Sequence, residues 1–130
     1  MKLITRKTDY ALRAICYISK QKDLVSVDEL VKKLGVPRPF MRKILQRLNK
    51  EKILESYKGQ GGGFKLIILP RNINVIQVME IFQKEVGLSE CFLKKNICPN
   101  RGKCVLRKKI QMIENSVLEQ LKKINIAALI

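Results

Sequence analysis

The chain has 130 residues and no histidine, and it lacks any apolar run of the roughly 18 residues that a membrane span requires. The absence of histidine excludes histidine-dependent acid–base catalysis and metal sites built from histidine alone. The segment of residues 1–7 is basic overall but lacks the apolar stretch of a signal peptide. The sequence also contains no catalytic triad and no phosphate-binding loop. We therefore expect a cytoplasmic protein that is not an enzyme.

Acidic residues are scarce beside basic ones. The chain has 27 Lys and Arg against 11 Asp and Glu, which gives a net charge of +16. Such an excess causes self-repulsion and is typical of a protein with a polyanionic partner. Double-stranded DNA is the partner that we expect. An anionic membrane surface and a merely solvated, lysine-rich surface are the alternatives that composition leaves open.

The first half of the chain shows the pattern of a helix-turn-helix followed by a hairpin. Periodic apolar positions predict three helices, at residues 8–21, 27–34 and about 37–52. Thr8 or Asp9 is the expected cap of the first helix. Ser26 caps the second helix, and Gly35 ends it. Two short helices joined by a tight turn with glycine are typical of a helix-turn-helix. Two strand candidates follow, at residues 53–57 and 64–69. A hairpin directly after a helix-turn-helix is the wing of a winged helix.

The second half is predicted to contain two helices separated by an irregular stretch at residues 87–103. Asn74 is the expected cap of the first of these helices, at 75–84. The last helix, at about 103–123, has one apolar seam whose members recur every three or four positions: Leu106, Ile110, Ile113, Val117, Leu121 and Ile124. The predicted fold class is therefore mainly α, with a small β-hairpin wing.

The third helix combines an apolar arc with a basic face. The arc covers about 140° of the helical wheel and consists of Phe40, Met41, Ile44, Leu45 and Leu48. The remaining face has five cations and no acid. Arg can contact guanine with two hydrogen bonds, Gln can contact adenine, and phosphates bind Lys and Arg. We predict that Arg38, Arg42 and Gln46 reach base edges. Lys43 and Arg47 complete the DNA-contacting set on this helix. A merely basic surface helix is the alternative.

A glycine-rich tip joins the two strand candidates. It is not a nucleotide-binding loop, because Gly-Lys-Ser/Thr is missing and a strand rather than a helix follows. Glycine permits positive φ and a close approach of the backbone to DNA, so we predict DNA contacts for Gly61 and Gly62. Lys58 is expected to reach a minor groove. A flexible hairpin without DNA contacts is the alternative.

Three of the four cysteines form a compact set ahead of the last helix: Cys91, Cys98 and Cys104. A structural zinc site needs four ligands, and no histidine can complete this set. The Lys and Arg residues around the thiols favour thiolates, which suit an iron–sulfur cluster. Free thiols or one regulatory disulfide are the alternative. Cys16 lies on the apolar face of the first helix and is expected in the core.

Three motifs occur in the order that is known from one family. They are the segment Thr8-Asp9-Tyr10-Ala11-Leu12-Arg13, the tip Gly59-x-Gly61-Gly62-Gly63-Phe64, and the spaced cysteines. Together they resemble the IscR- and NsrR-type winged-helix regulators of the wider Rrf-two family, over nearly the whole chain. The resemblance implies a homodimeric bacterial transcription factor that binds a pseudo-palindromic operator. It also implies that the long C-terminal helix, here residues 105–123, packs against its counterpart in the dimer.

The resemblance further implies the ligands of an iron–sulfur cluster. Cys91, Cys98 and Cys104 correspond to the three cysteines of cluster-binding members. The IscR branch has a histidine three residues after the last cysteine, where this chain has Arg107. NsrR-like members instead use an aspartate near the N-terminus of the second subunit, and Asp9 stands at the matching place. Three thiolates and one oxygen fit a two-iron or a four-iron cluster, and we favour 2Fe–2S.

These expectations divide the chain into two units within one integrated domain. Residues 1–70 form the DNA-binding unit, and residues 71–130 form the cysteine-bearing sensor loop and dimerisation helix. The expected function is transcription regulation in response to iron–sulfur, redox or nitric oxide status. Two alternatives stay open: a metal-free, thiol-based or cysteine-metabolism regulator of the same fold, and a basic iron–sulfur redox protein.

Overall fold

The computed structural model describes residues 3–83, 86 and 104–130. Cys91 and Cys98 lie outside these residues, and so does most of the predicted irregular stretch. The described residues form five helices: α1 (Arg6–Lys20), α2 (Val27–Leu34), α3 (Arg38–Lys50), α4 (Val75–Phe82) and α5 (Val105–Lys122). They also form one antiparallel hairpin of β1 (Leu54–Tyr57) and β2 (Gly63–Leu66). This architecture confirms a mainly helical fold with a hairpin wing.

The start of α1 differs from the prediction. Thr5 is the N-cap, and its hydroxyl accepts a hydrogen bond from the Thr8 N–H at 3.3 Å. Thr8 is fully buried inside the first turn, and Asp9 follows it within the helix. The prediction that Thr8 or Asp9 caps the helix is therefore wrong. Local sequence alone did not separate three polar residues that can all serve as caps.

The helix-turn-helix forms as predicted from α2 and α3. The Ser26 hydroxyl accepts a hydrogen bond from the N–H of Glu29 at 3.1 Å and caps α2. Gly35 ends this helix in the left-handed conformation, with φ of 66°, which other residues adopt at a cost. Val36 is buried in the turn, and Pro37 leads directly into α3.

The main core lies between α1, α3 and the hairpin. Four residues of α3 are at most 3% exposed: Met41, Ile44, Leu45 and Leu48. They share one buried cluster with Ala11 and Ile15 of α1, Leu54 of β1 and Val78 of α4. Phe40 was expected in the same apolar arc but is 51% exposed. The opposite face of α3 is left to solvent.

The wing is attached to the loop that precedes α2. Val25 and Phe64 exchange two backbone hydrogen bonds, of 3.0 and 2.8 Å, which extend the hairpin by one bridge. Gly63 makes this approach possible, since a Cβ atom there would lie 2.7 Å from the Val25 carbonyl oxygen. The position of the wing beside the helix-turn-helix thus depends on a glycine.

The second half packs onto the first through α4 and the C-terminal residues. Asn74 and Gln77 form a capping box at the start of α4, which confirms Asn74 as its cap. After α5 the chain returns beside α4, where Ile126 is fully buried and its N–H donates to Ile73 at 2.8 Å. No described helix is both long and apolar enough to cross a membrane. The division of the chain at residue 70 stays a prediction.

Candidate nucleic-acid interface

The basic face of α3 is exposed along its whole length. Every predicted DNA-contacting residue of this helix is exposed: Arg38, Arg42, Lys43, Gln46 and Arg47. Asn49 and Lys50 are exposed as well. The arrangement follows from the burial of the opposite face, since residues three or four apart share a side of a helix. An exposed helix with cations and an amide can contact both phosphates and base edges in a major groove.

Two of the five cations of α3 form ion pairs with carboxylates. Arg38 forms an ion pair with Asp28, which lies in the first turn of α2. Arg47 forms an ion pair with Glu51 just beyond the helix, with 3.2 Å between the arginine nitrogen and the carboxylate oxygen. Of the other three cations, Arg42 forms no ion pair with any residue that the structure describes, and the same holds for Lys43 and Lys50. Arg47 and Glu51 have the i,i+4 spacing of an ion pair along a helix, whereas the pair of Arg38 and Asp28 joins two helices and has no local signal in the sequence.

The tip of the wing holds the other predicted DNA contacts. Lys58 and Gly61 are exposed, and Gly62 is partly buried. Gly59 and Gly61 have φ of 95° and 75°, so the turn needs the freedom of glycine at both positions. The Gly62 N–H donates to the Gly59 carbonyl at 3.1 Å and closes the turn. The tip is thus a compact backbone loop.

The stem of the wing carries a carboxylate that sequence reasoning missed. The Tyr57 hydroxyl donates to Glu55 at 2.9 Å. This hydrogen bond, helped by the charge of Glu55, raises the pKa of Tyr57 above its ordinary value. Glu55 also lies opposite Lys65 in the strand register, so opposite charges face each other across the stem.

A buried polar cluster joins the start of α1 to the end of α4. The Gln83 side-chain oxygen accepts hydrogen bonds from the Thr8 hydroxyl at 2.7 Å and from the Thr5 N–H at 3.1 Å. Its amide nitrogen donates to the Leu3 carbonyl at 3.2 Å. Beside Gln83, a cleft of about 480 Å³ is lined by Phe40 of α3 and by other residues of α1, α3 and α4. The cluster therefore lies next to α3.

Two of the four predicted cluster ligands are described by the structure. Cys104 is the N-cap of α5 and is partly buried, and its sulfur accepts a hydrogen bond from the Arg107 N–H at 3.4 Å. Asp9 lies in the first turn of α1 and forms an ion pair with Arg13, with a nitrogen–oxygen distance of 3.1 Å. Cys91 and Cys98 lie outside the described residues. Among the described residues, no three metal-binding side chains form a group that could hold a metal ion.

Cys16 differs chemically from a reactive cysteine. It is half-buried on α1 and packs against the main core. Desolvation raises the pKa of its thiol, and the positive charge of Lys20 opposes this only in part. The thiol therefore stays protonated near neutral pH, as expected of a structural cysteine.

Comparisons with known proteins identify related sequences over the full chain. Residues 4–130 match the family model Rrf2, described as an iron-dependent transcriptional regulator. The HTH-type transcriptional repressor NsrR of Streptomyces coelicolor is 27% identical over an aligned length of 130 residues, which covers 98% of this chain and 87% of that protein.

Solved structures show the same fold at lower sequence identity. CymR, the global cysteine regulator of B. subtilis, superposes with a TM-score of 0.82 at 16% identity, over 99% of this chain and 96% of that one. IscR of T. potens superposes with a TM-score of 0.76 at 21% identity, over 99% and 85% of the two chains. The likeness confirms the predicted winged-helix fold.

Proposed function

Because the chain belongs to the Rrf2 family of transcriptional regulators, we propose that it binds an operator in DNA as a homodimer and carries an iron–sulfur cluster. Its relatives bear the names of transcriptional regulators and repressors, which supports DNA binding and a role outside catalysis. The choice of cofactor and the identity of the contacting residues are the finer parts of this proposal.

The DNA contacts are assigned to α3 and the wing. Arg42 and Gln46, together with Arg38, reach base edges in the major groove, where their side chains can form paired hydrogen bonds. Phosphates bind Lys43 and Arg47. The wing adds Lys58 and the backbone at Gly61 and Gly62. In a two-fold dimer, the two copies of α3 would enter successive major grooves, about 34 Å apart.

The dimer contact is assigned to residues 105–123. Within α5, only Leu121 is buried. Leu106 and Ile113, from the predicted apolar seam, are 66% and 58% exposed. Apolar side chains aligned on one side of a helix are typical of an interface between chains. A second copy of α5 would cover them.

Three cysteines and one carboxylate are the candidate ligands of the cluster: Cys91, Cys98 and Cys104 of one subunit and Asp9 of the other. The N-cap position of Cys104 carries this assignment, because its sulfur already accepts a backbone hydrogen bond, and such bonds tune the potentials of iron–sulfur clusters. A bound cluster supplies redox chemistry and reactivity towards oxidants or nitric oxide. Asp9 would exchange its ion pair with Arg13 for this role.

The metal-free alternative has its own supporting observation. The Asp9 carboxylate already has Arg13 as a partner, so it needs no metal to balance its charge. The fold also superposes on that of a cysteine regulator, CymR. In this case the cysteines act as thiol switches, and the DNA-binding residues keep their roles.

Purification without oxygen decides between these functions. We expect a coloured protein with matched iron and sulfide counts, whose ratio to protein distinguishes two-iron from four-iron clusters. Cys104→Ala should lose iron and sulfide, whereas the matched control Cys16→Ala should keep them because Cys16 packs against the core. A wild-type protein that stays colourless after anaerobic reconstitution with iron and sulfide would overturn the cluster proposal and leave the thiol-based regulator.

A further inference from the structure

We propose that two carboxylates, Asp28 and Glu51, lower the affinity of α3 for DNA of any sequence by neutralising two of its cations. These neutralising carboxylates pair with Arg38 and Arg47 of α3. The inference rests on the proposed DNA-binding function. It assigns to two acidic residues a role in setting DNA affinity that the basic composition of the helix conceals.

The positions of the two pairs divide α3 into ends and a middle. Asp28 engages Arg38 at the first residue of the helix, and Glu51 engages Arg47 near its last turn. Between them lie Arg42 and Gln46, which are exposed. Arg42 and Gln46 therefore pair with no described carboxylate, whereas one cation near each end, including the predicted base contact Arg38, is neutralised.

The electrostatic consequence concerns phosphates more than bases. Non-specific affinity comes from cations that release counterions from the DNA backbone. Two of the five cations of α3 are paired, so the helix and its partners contribute a net charge of about three rather than five to this attraction. Base contacts by Arg42 and Gln46 do not depend on those two charges. Because phosphates are contacted in specific and non-specific complexes alike, the two ion pairs weaken both kinds of binding.

The pairs are exposed, so their removal should leave the fold intact. The side chain of Arg38 is 48% exposed and that of Asp28 is 71% exposed. The corresponding values for Arg47 and Glu51 are 46% and 37%. Exposed ion pairs contribute little to stability. Their effect on DNA affinity can therefore be measured in folded variants.

The test uses Asp28→Asn and Glu51→Gln with two duplex probes. One probe is a duplex of random sequence, and the other is a duplex enriched from a random pool by the wild-type protein. We expect each variant to bind the random duplex about three to ten times more tightly at 0.1 M salt. The slope of log affinity against log salt should steepen by about 0.9 for each cation that becomes available to a phosphate. Affinity for the enriched duplex should rise by a comparable factor, because phosphate contacts contribute to the binding of both probes.

Glu119→Gln is the matched control. Glu119 pairs with Lys122 on α5 at 3.4 Å, so this variant removes the same charge from the same kind of ion pair on another helix. If Asp28→Asn and Glu51→Gln tighten random-duplex binding no more than Glu119→Gln does, the inference is wrong and DNA binding by α3 still stands. If the wild-type protein enriches no duplex and shows no salt-dependent binding, the DNA-binding proposal itself fails.

Discussion

The helices α3 and α5 are both amphipathic, but their apolar residues are buried to very different extents within the part of the chain that the structure describes. Of the 13 residues of α3, four apolar residues are buried: Met41, Ile44, Leu45 and Leu48. Of the 18 residues of α5, only Leu121 is buried. Four of its apolar residues are between 58% and 68% exposed: Val105, Leu106, Met112 and Ile113.

The orientation of a basic face and the spacing between two such faces therefore have different origins. The apolar face of α3 is satisfied by its own chain, so the orientation of the basic face follows from the fold. The apolar face of α5 has no such cover among the described residues. We infer that the spacing of two basic faces, and hence the choice of operator, depends on how two copies of α5 pack.

Ile113→Asp should have the largest effect, because it places a charge in the apolar seam of α5, at a residue that is 58% exposed. We expect a monomer, whose affinity for the enriched duplex falls by about 1,000-fold or more towards the non-specific level. Sedimentation and duplex titration measure the two effects. Asn115→Asp adds the same charge on the opposite side of α5 and should stay dimeric. A dimeric Ile113→Asp protein would contradict the assignment of α5 as the interface.

Leu45→Ala should act on the fold instead of the assembly. Leu45 is fully buried in the main core, so we expect the free energy of unfolding to fall by about 2–5 kcal/mol. Urea denaturation at a fixed protein concentration measures this loss. The protein that remains folded should still form dimers. Lys43→Ala, on the exposed side of the same helix, should change stability by less than about 0.5 kcal/mol. Equal losses for both variants would contradict the burial pattern of α3.

Arg42→Gln should weaken DNA binding without changing either the fold or the dimer. Arg42 is exposed and forms no ion pair with any described residue. Loss of a paired contact with a base reduces discrimination by about 1–3 kcal/mol, or roughly 5- to 150-fold in affinity. Competition between enriched and random duplexes measures this change. Arg38→Gln should have a smaller effect, since Asp28 already neutralises Arg38. A larger effect for Arg38→Gln would reverse the proposed division of α3.

Gln83→Leu tests how α4, on which α5 rests, is fixed to α1. The substitution removes the acceptor of the buried Thr8 hydroxyl and of the Thr5 N–H. We expect stability to fall by about 1–3 kcal/mol because these donors lose their partner. Thermal unfolding measures the loss, and Gln111→Leu on the exposed side of α5 is the control. Unchanged stability of Gln83→Leu would show that water replaces the side chain at little cost.

Sequence predicted the elements whose signals are local. Ser26, Gly35 and Asn74 were identified as caps, because each cap is formed by residues within one turn of the helix end. The exposed basic face of α3 was also predictable, since helical period alone separates it from the apolar arc. The predicted DNA contacts of α3 therefore share one exposed face of that helix, and their individual roles stay predictions.

Contacts between distant parts of the chain were not predictable in the same way. The hydrogen bond between Thr8 and Gln83 joins residues 75 positions apart, and this partner determines that Thr8 is buried rather than a cap. The return of Ile126 to Ile73 and the pairing of Arg38 with Asp28 likewise depend on how helices pack. Periodicity and spacing carry no information on such pairs.

The most direct test of the account is the selection of a binding site from a random duplex pool, followed by the mass of the protein–DNA complex. We predict a pseudo-palindrome whose half-sites lie about 10 base pairs apart, or a multiple of that spacing, bound by two chains. This result would mean that one pair of α5 helices fixes the spacing between two copies of α3. A single, non-palindromic site bound by one chain would contradict it.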